Sequence, residues 1–375
     1  MSTVVRTSLL PTYPATTVTF VEGDGVQLKD DGGKTYLDFA GGIAVVGLGH
    51  RHPAPVAAAH AQLDAVWHTS NLFGSEPAPK LAQLLSERFG GAQAFFCNSG
   101  AEANEAAIKY ARKATGKAGV LAVEQGFHGR TRGALSVTGQ PGKRGVFVEP
   151  GAVWVQPNDV DALRAAMSDD IGLILLEPIL GEGGVIPLDA EFLAAARELA
   201  DGALLCFDEV QTGVGRTGSF FAFEQLGVKP DLVTMAKALA NGLPIGALLV
   251  SDEAAGGFQP GDHGSTFGGN PVACAAACAV VETVDDELLA SVRVNGGKLL
   301  TELASLPHVV KARGRGLLVG AELDIPAQPV VDAALEAGLV TLTSGPNVLR
   351  LAPPLVVEST DVDRAIEILT EVLSA

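Results

Sequence analysis

The sequence predicts an α/β fold: a large domain with a mostly parallel sheet flanked by helices, plus a smaller α+β domain. Three observations carry this prediction. Short apolar runs alternate with helical patterns over roughly 170 residues, which is typical of parallel strands joined by helices. Several runs are apolar throughout, as expected of strands that are buried on both faces. From Pro271 onward, long helices lead into strands that read as antiparallel.

Periodicity and turn signals place the individual elements. Residues 17–47 alternate like strands, with hairpin signals at Gly23–Gly25 and Asp31–Gly33. Helices are predicted from Val56 and over Leu81–Phe89, Val160–Met167, Ala190–Ala200, Val272–Thr283, Glu287–Leu306 and Asp361–Leu373. Strands are predicted at Ala94–Cys97, Ala203–Phe207, Leu232–Ala236, Val309–Arg313, Leu317–Leu323, Leu339–Leu342 and Val348–Leu351. We therefore expect residues 1–50 to join the small domain, residues 51–265 to form the large domain, and residues 266–375 to form the small domain.

Composition limits the class of protein. The chain has 375 residues, of which 47% are hydrophobic and 18% charged, so it can bury a large core. Its net charge of −17 disfavours nucleic acid or an anionic membrane as a partner. No apolar stretch approaches ~18 residues, so no membrane span is expected. Residues 1–14 lack the apolar core of a secretory signal.

The cysteines and histidines give no sign of a metal site. None of the four cysteines forms a CxxC pair, and the seven histidines show no metal-binding spacing. We expect the cysteines to be small buried hydrophobes of a cytoplasmic protein, with no metal bound.

The stretch AQAFFCNSGAEANEAA combines an apolar strand, a turn of small residues and a helix. Ser99 and Glu102 have the spacing of a capping box at the start of that helix. Free backbone N–H groups and the helix dipole favour an anion there, and the small residues Gly100 and Ala101 allow close approach. An ordinary capped helix is the alternative interpretation.

Two apolar runs each end on one charged residue. Ala203–Phe207 ends on Asp208, and Leu232–Ala236 ends on Lys237, 29 residues later. Because ligands bind at the carboxyl ends of parallel strands, we expect the two side chains to share one rim of the sheet. A lysine in an apolar setting can attack a carbonyl, and a buried aspartate requires a cationic partner. Pyridoxal phosphate meets both demands, with its aldehyde and its ring nitrogen. A structural ion pair remains the alternative.

A GxGxxG pattern at Gly213–Gly218 raises a rival from another class, a dinucleotide-binding oxidoreductase. Three features disfavour it. The residues DEVQT separate the pattern from its strand, the following SFFAF is a poor start for a helix, and the next strand ends on Lys237 rather than on an acid.

Seven motifs together resemble the class III, pyridoxal-phosphate-dependent aminotransferases. In order, they are FFCNSGAEANEAA, GFHGRT, LEPILGEGG, FDEVQTGVGRTG, AKALANGLPIGA, HGSTFGGNP and RGRGLLVGAEL. The resemblance extends from Tyr36–Pro53 to Val348–Val357 and is strongest to the acetylornithine branch of the family. It implies the architecture of fold-type I aminotransferases.

The resemblance assigns roles at the cofactor ring. Lys237 is expected to bind pyridoxal phosphate covalently and to move the proton between substrate and cofactor carbons. Asp208 is expected to pair with the ring nitrogen, and Gln211 to contact the phenolic oxygen. Val210 and Phe127 are expected to pack on opposite faces of the ring.

The resemblance also assigns the phosphate site. Gly100 and Ala101, backed by Ser99, are expected to bind the phosphate. Thr266 is expected to contact the phosphate of a second subunit, and Ser265 to lie beside it at the substrate mouth. A homodimer with shared active sites follows from this assignment.

Arg130 and Arg350 are the carboxylate-binding residues that the resemblance implies, because a guanidinium fork binds a carboxylate bidentately. Arg350 is expected to bind the α-carboxylate of glutamate, with Glu182 masking it when the other substrate reacts. Gly74 and Ser75 are a departure, because relatives often have a tyrosine and another polar residue at that entrance.

The resemblance implies transfer of the δ-amino group of N2-acetyl-L-ornithine to 2-oxoglutarate in arginine biosynthesis, giving N-acetyl-L-glutamate 5-semialdehyde and L-glutamate. Alternatives are the lysine-pathway substrates succinyl-diaminopimelate and an aminoadipate-semialdehyde derivative. Ornithine and 4-aminobutyrate aminotransferases are more distant alternatives.

Overall fold

A computed structural model of the chain describes residues 10–14, 16–147 and 149–375. The N-terminal stretch in which we found no secretory signal therefore lies largely outside the described residues. The helices are α1 (Gly41–Ala44), α2 (Pro53–Ala65), α3 (Pro77–Phe89), α4 (Gly100–Thr115), α5 (Arg132–Val137), α6 (Pro141–Arg144), α7 (Val160–Ala166), α8 (Ala190–Leu199), α9 (Pro271–Thr283), α10 (Asp286–Leu303), α11 (Ala327–Glu336) and α12 (Ser359–Ser374).

The strands of the described residues fall into four sheets. They are β1 (Phe20–Asp24), β2 (Gln27–Asp30), β3 (Thr35–Asp38), β4 (Ala92–Cys97), β5 (Gly119–Val123), β6 (Ala152–Val155), β7 (Ile171–Leu176), β8 (Ile179–Leu180), β9 (Ile186–Pro187), β10 (Leu204–Asp208), β11 (Leu232–Met235), β12 (Gly246–Ser251), β13 (Val309–Arg315), β14 (Leu318–Leu323), β15 (Leu339–Val340), β16 (Leu342–Thr343) and β17 (Val348–Leu351).

The central sheet has seven strands in the order β4-β12-β11-β10-β7-β5-β6. Only β12 runs antiparallel to its neighbours, so the predicted mostly parallel sheet is confirmed. Apolar side chains cover both faces. One face packs against α3, α7, α8 and α9, and the other against α4. This two-sided burial explains why the strand sequences are apolar throughout rather than alternating.

The C-terminal part forms a second core. The antiparallel sheet β13-β14-β17-β16 packs with α10, α11 and α12. The N-terminal sheet joins it, because β15 pairs in parallel with β3. The division at residues 265 and 266 stays a prediction; α9, which follows it, contributes its apolar side chains to the large core.

One predicted strand, Leu339–Leu342, is wrong as a single element. The chain changes sheets at Thr341, so β15 pairs with β3 of the N-terminal sheet while β16 pairs with β17. A continuous apolar run does not show with which strand each of its halves will pair.

The GxGxxG segment forms turns after β10, and no helix begins at Gly218. Arg216 is instead fully buried, and its guanidinium donates hydrogen bonds to the carbonyl oxygens of Leu317 (3.0 Å) and Pro353. The motif therefore packs the large domain against the C-terminal part, as expected from its poor match to a dinucleotide site.

Candidate active site

A cavity of about 410 Å³ lies at the carboxyl ends of the central strands. Three neighbouring parallel strands bring acidic and basic side chains to its floor. Glu177 follows β7, Asp208 ends β10, and Lys237 comes two residues after β11. Asp208 and Lys237 therefore share one rim, as their positions after two apolar runs predict.

Lys237 occupies a strained and largely enclosed position. Its φ of 44° lies in the left-handed region, which is unusual for a residue with a side chain. Burial lowers the pKa of its amine most, the nearby Arg350 cation lowers it as well, and the net value falls from 10.5 to about 8. Glu182, Glu177 and Asp208 oppose this shift. A substantial fraction of the amine is therefore neutral, and hence nucleophilic, near pH 8.

Asp208 is held from three directions. Its Oδ2 accepts hydrogen bonds from Asn104 Nδ2 at 2.7 Å and from His128 Nδ1 at 2.8 Å. Its Oδ1 accepts from the backbone N–H of Val210 at 3.1 Å. Burial alone would lower the pKa of His128, but Asp208 outweighs burial and the net shift is upward. The paired histidine and aspartate thus keep a carboxylate fixed at the cavity floor.

The N-terminus of α4 provides an anion site. The side chain of Ser99 caps it by accepting from the N–H of Glu102 at 3.2 Å. The predicted reciprocal bond is shifted by one residue, because Glu102 accepts from the backbone N–H of Asn98 at 2.9 Å rather than from the backbone N–H of Ser99. Within the described part of the chain, the N–H groups of Gly100 and Ala101 have no protein acceptor, so they can bind an anion.

Gly100 has a second structural requirement. A Cβ atom there would lie 2.7 Å from Cγ1 of Val210, so only glycine allows the helix start to approach that side chain. Val210 and Phe127 both line the cavity, and so does Gln211, which is largely buried. The helix N-terminus, the fixed carboxylate and the apolar walls fit the phosphate, the ring nitrogen and the flat ring of pyridoxal phosphate.

The mouth of the cavity is built across the seam between the large domain and the C-terminal part. Arg350 of β17 forms an ion pair with Glu182 and donates to the carbonyl oxygen of Gly181 at 2.9 Å. It also reaches Oε1 of Gln211 at 3.4 Å. Burial would raise the pKa of Glu182, but Arg350 outweighs burial and the net shift is downward. Glu182 thus covers the guanidinium of Arg350 in this structure, and its masking role during the reaction stays a prediction.

Three predicted site residues are not part of the cavity wall, and one of them, Arg350, reaches it only through Glu182 and Gln211. Thr266 is exposed and is not among the described residues that line the cavity. Ser265 lies at its edge, where its hydroxyl accepts from Nδ2 of Asn98 at 3.3 Å. Gly74 lies on an exposed loop, and Asn71 of that loop donates to the carbonyl oxygens of Ser265 and Gly268 at 2.9 Å.

Among the cavity residues that the sequence analysis missed are Glu177, His128 and Asn104, which form or support the polar floor. Glu177 carries the same signal as Asp208, because it directly follows a fully apolar strand. His128 is the neighbour of Phe127 in the GFHGRT motif. Asn104 lies one helical turn after Gly100, which is the spacing that places two side chains on one face.

Neither a metal-binding cluster nor a membrane-spanning helix is found among the described residues. In residues 10–14, 16–147 and 149–375, no group of three or more His, Cys, Asp or Glu side chains is arranged to hold a metal ion. Within the same ranges, no helix has the length and apolar character needed to cross a membrane. All four cysteines are buried and free, as predicted.

Comparison with known families identifies the architecture. The family model "Aminotransferase class-III" matches residues 11–373. The chain belongs to the class-III aminotransferases. Among relatives of this aminotransferase, the acetylornithine aminotransferase of Mycolicibacterium smegmatis is 48% identical over 97% of this chain and 96% of its own length. That of Bacillus cereus is 43% identical over 97% of both chains.

Solved structures agree with this assignment. The aminotransferase matches the ornithine aminotransferase of Toxoplasma gondii with a TM-score of 0.94 and 32% identity, covering 98% of this chain and 92% of that one. It matches the N-acetylornithine aminotransferase of Stenotrophomonas maltophilia with a TM-score of 0.85 and 37% identity, covering 96% of each chain. The predicted α/β architecture is confirmed.

Proposed function

We propose that this aminotransferase uses pyridoxal phosphate to move the δ-amino group of N2-acetyl-L-ornithine to 2-oxoglutarate, as a step of arginine biosynthesis. The observation that carries the proposal is the cavity floor, where Lys237, Asp208 and the N-terminus of α4 meet. The choice of substrate is supported by relatives named acetylornithine aminotransferase, which are 43% and 48% identical over nearly the whole chain.

Each group at the floor has a defined task. Pyridoxal phosphate, when bound, supplies an aldehyde and a ring that accepts electrons. The N–H groups of Gly100 and Ala101 would hold its phosphate, with Ser99 capping the helix behind them. Asp208, fixed by Asn104 and His128, would keep a proton on the ring nitrogen.

Packing residues would orient the ring. Phe127 and Val210 would contact its two faces, and Gln211 would donate to its phenolic oxygen. Lys237 would hold the cofactor and, once released, would take the proton from the substrate carbon that bears the reacting amine. A lysine whose pKa is lowered by burial suits proton transfer in both directions near neutral pH.

The mouth would bind the two substrates in turn. Arg130 would bind a carboxylate of either substrate, and Arg350 would bind the α-carboxylate of glutamate. In the structure Arg350 is paired with Glu182, which is the arrangement suited to acetylornithine, because the carbon that bears its reacting δ-amine carries no carboxylate. Glutamate would displace Glu182 by offering its own carboxylate.

A homodimer would complete the site. Large apolar side chains around Thr266 are exposed, and their exposed fractions are 68% for Trp67, 86% for Leu72, 73% for Phe73 and 62% for Phe267. A patch of this kind on one surface favours association. We propose that a second copy covers it, so that Thr266 reaches the phosphate and Ser265 the substrate mouth of the partner's cavity, in a cytoplasmic enzyme. Light scattering should then give twice the chain mass.

The substrate test compares specificity constants of the purified enzyme with 2-oxoglutarate as acceptor. Acetylornithine should rank first, ahead of succinyl-diaminopimelate, ornithine and 4-aminobutyrate. Ornithine is the second candidate, because the Toxoplasma ornithine aminotransferase shares the fold at 32% identity. A larger kcat/KM for any other amine would show that the proposed substrate is wrong, but it would leave the reaction class unchanged.

A further inference from the structure

Two cations at the mouth approach the same aromatic ring. The ammonium of Lys143 lies 4.7 Å from the centre of the Phe127 ring, and the guanidinium carbon of Arg130 lies 5.6 Å from it. Among the described residues, neither charged group makes an ion pair or a hydrogen bond with a side chain or a carbonyl oxygen. The one nearby carboxylate at the mouth, Glu182, is already paired with Arg350.

Local anchors set the position of Lys143. It lies on the short helix α6, and the next residue, Arg144, stacks its guanidinium 3.7 Å from the centre of the Trp154 ring. On the other side, Nε2 of Gln140 donates to the carbonyl oxygen of Gln125 at 2.8 Å. Held at both ends, α6 presents Lys143 as a half-buried cation rather than a mobile surface side chain.

The electrostatic surroundings place the Lys143 ammonium in the field of the mouth. Burial lowers its pKa, the carboxylates of Glu182 and Glu177 oppose that shift, and the cations of Arg130 and Arg350 reinforce it. Three cations thus face two carboxylates, of which Glu182 is paired with Arg350 and Glu177 accepts hydrogen bonds from two backbone N–H groups. Such an excess of positive charge is unfavourable without an added anion and attractive to one.

We propose that Lys143 is a substrate-binding residue that, with Arg130, seats a carboxylate of the substrate beside the Phe127 ring. The inference deepens the proposed function and rests on it. The ligand class is a carboxylate, present both on an acylated amino acid and on a 2-oxo dicarboxylic acid. A guanidinium and an ammonium can each take one of its oxygen atoms through charge-assisted hydrogen bonds.

The test measures binding of glutarate, a dicarboxylate that cannot react, to the holoenzyme by isothermal titration calorimetry. Lys143→Met removes the charge and keeps most of the side-chain length, and Lys143→Arg keeps the charge. Lys229→Met is the matched control, because Lys229 lies 4.8 Å from the centre of the Phe89 ring on a surface away from the cavity.

Lys143→Met should weaken glutarate binding about tenfold, as expected for loss of one charge-assisted contact at a half-exposed position. It should raise KM for 2-oxoglutarate by a similar factor while kcat stays within about twofold. Lys143→Arg should recover most of the affinity, and Lys229→Met should match the wild type.

Equal affinities of Lys143→Met and the wild type would overturn the proposal, and so would the absence of glutarate binding to the wild type. A fall in kcat with unchanged KM would also overturn it, because it would assign Lys143 to the support of Phe127. If acetylornithine is not turned over but glutarate binding still depends on Lys143, the proposed substrate fails and this inference stands.

Discussion

The floor and the mouth of the cavity are built on different principles. At the floor, the polar atoms of Asp208 are engaged by Asn104, His128 and a backbone N–H within the large domain. At the mouth, Arg130 and Lys143 have no carboxylate partner among the described residues, and Arg350 reaches across the seam to Glu182. The floor is suited to one permanently bound group, whereas the mouth is suited to anions that bind and dissociate in each reaction cycle.

The energetics follow from this difference. A buried charge that loses its partner costs several kcal/mol, so the floor must keep its network intact. At the mouth a substrate carboxylate can take the place of Glu182 on Arg350, so that the cation never stays unpaired. Substitutions at the floor should therefore slow both half-reactions. Substitutions at the mouth should slow one half-reaction much more than the other.

The largest effect is expected for Lys237→Ala at the floor. Turnover should fall by at least about 10⁴-fold in both half-reactions, because the covalent attachment and the proton carrier are lost together. Single-turnover absorbance changes with acetylornithine and with glutamate measure this directly. Cofactor should still bind without a covalent bond, and retained transamination would refute the role of Lys237.

Arg350→Ala should affect the rates of the two half-reactions very differently. The glutamate half-reaction should slow about 30- to 100-fold, because a buried charge-assisted contact to the α-carboxylate is lost. The acetylornithine half-reaction should change by less than about threefold. Glu182→Ala is the matched variant, since it leaves Arg350 uncovered, and it should slow the acetylornithine half-reaction instead. Equal damage to both halves by Arg350→Ala would remove the two-substrate model of the mouth.

The smallest effect concerns stability. The pKa of Lys237 lies near 8 in the folded protein and near 10.5 in the unfolded chain, so the unfolded chain binds more protons between these values. The free energy of unfolding contributed by this group therefore rises with pH across that window. Without cofactor, Lys237→Met should be more stable than the wild type at pH 7 by about 1–3 kcal/mol.

The gap between Lys237→Met and the wild type should narrow as the pH rises from about 8 to 10.5. Urea unfolding of the cofactor-free proteins at both ends of this range measures it, with Lys229→Met as the control. A gap that does not change with pH would contradict burial as the cause of the shifted pKa.

The floor of the cavity can be predicted from the sequence more fully than the mouth. Asp208 and Lys237 could be placed because each ends a fully apolar run, and strand ends in a parallel sheet meet at one rim. Glu177 carries the same signal, because it follows the fully apolar strand β7. His128 and Asn104 give only weak signals, because their contacts with Asp208 span 80 and 104 residues.

The mouth is harder to predict from local patterns. The pairing of Glu182 with Arg350 spans 168 residues and depends on how the C-terminal sheet meets the large domain, so only the resemblance indicated it. The sheet change at Thr341 was missed for the same reason, since it is set by distant neighbours. The position of the Lys143 ammonium beside the Phe127 ring depends on how α6 packs, so the local sequence does not predict it.

The central claim is that Lys237 is the residue to which the cofactor is attached. Reduction of the purified coloured protein with borohydride, followed by digestion and mass spectrometry, tests it most directly. We predict loss of the visible absorbance band and one phosphopyridoxyl group on the peptide that contains Lys237. A colourless protein, or a label on any other lysine, would contradict the account.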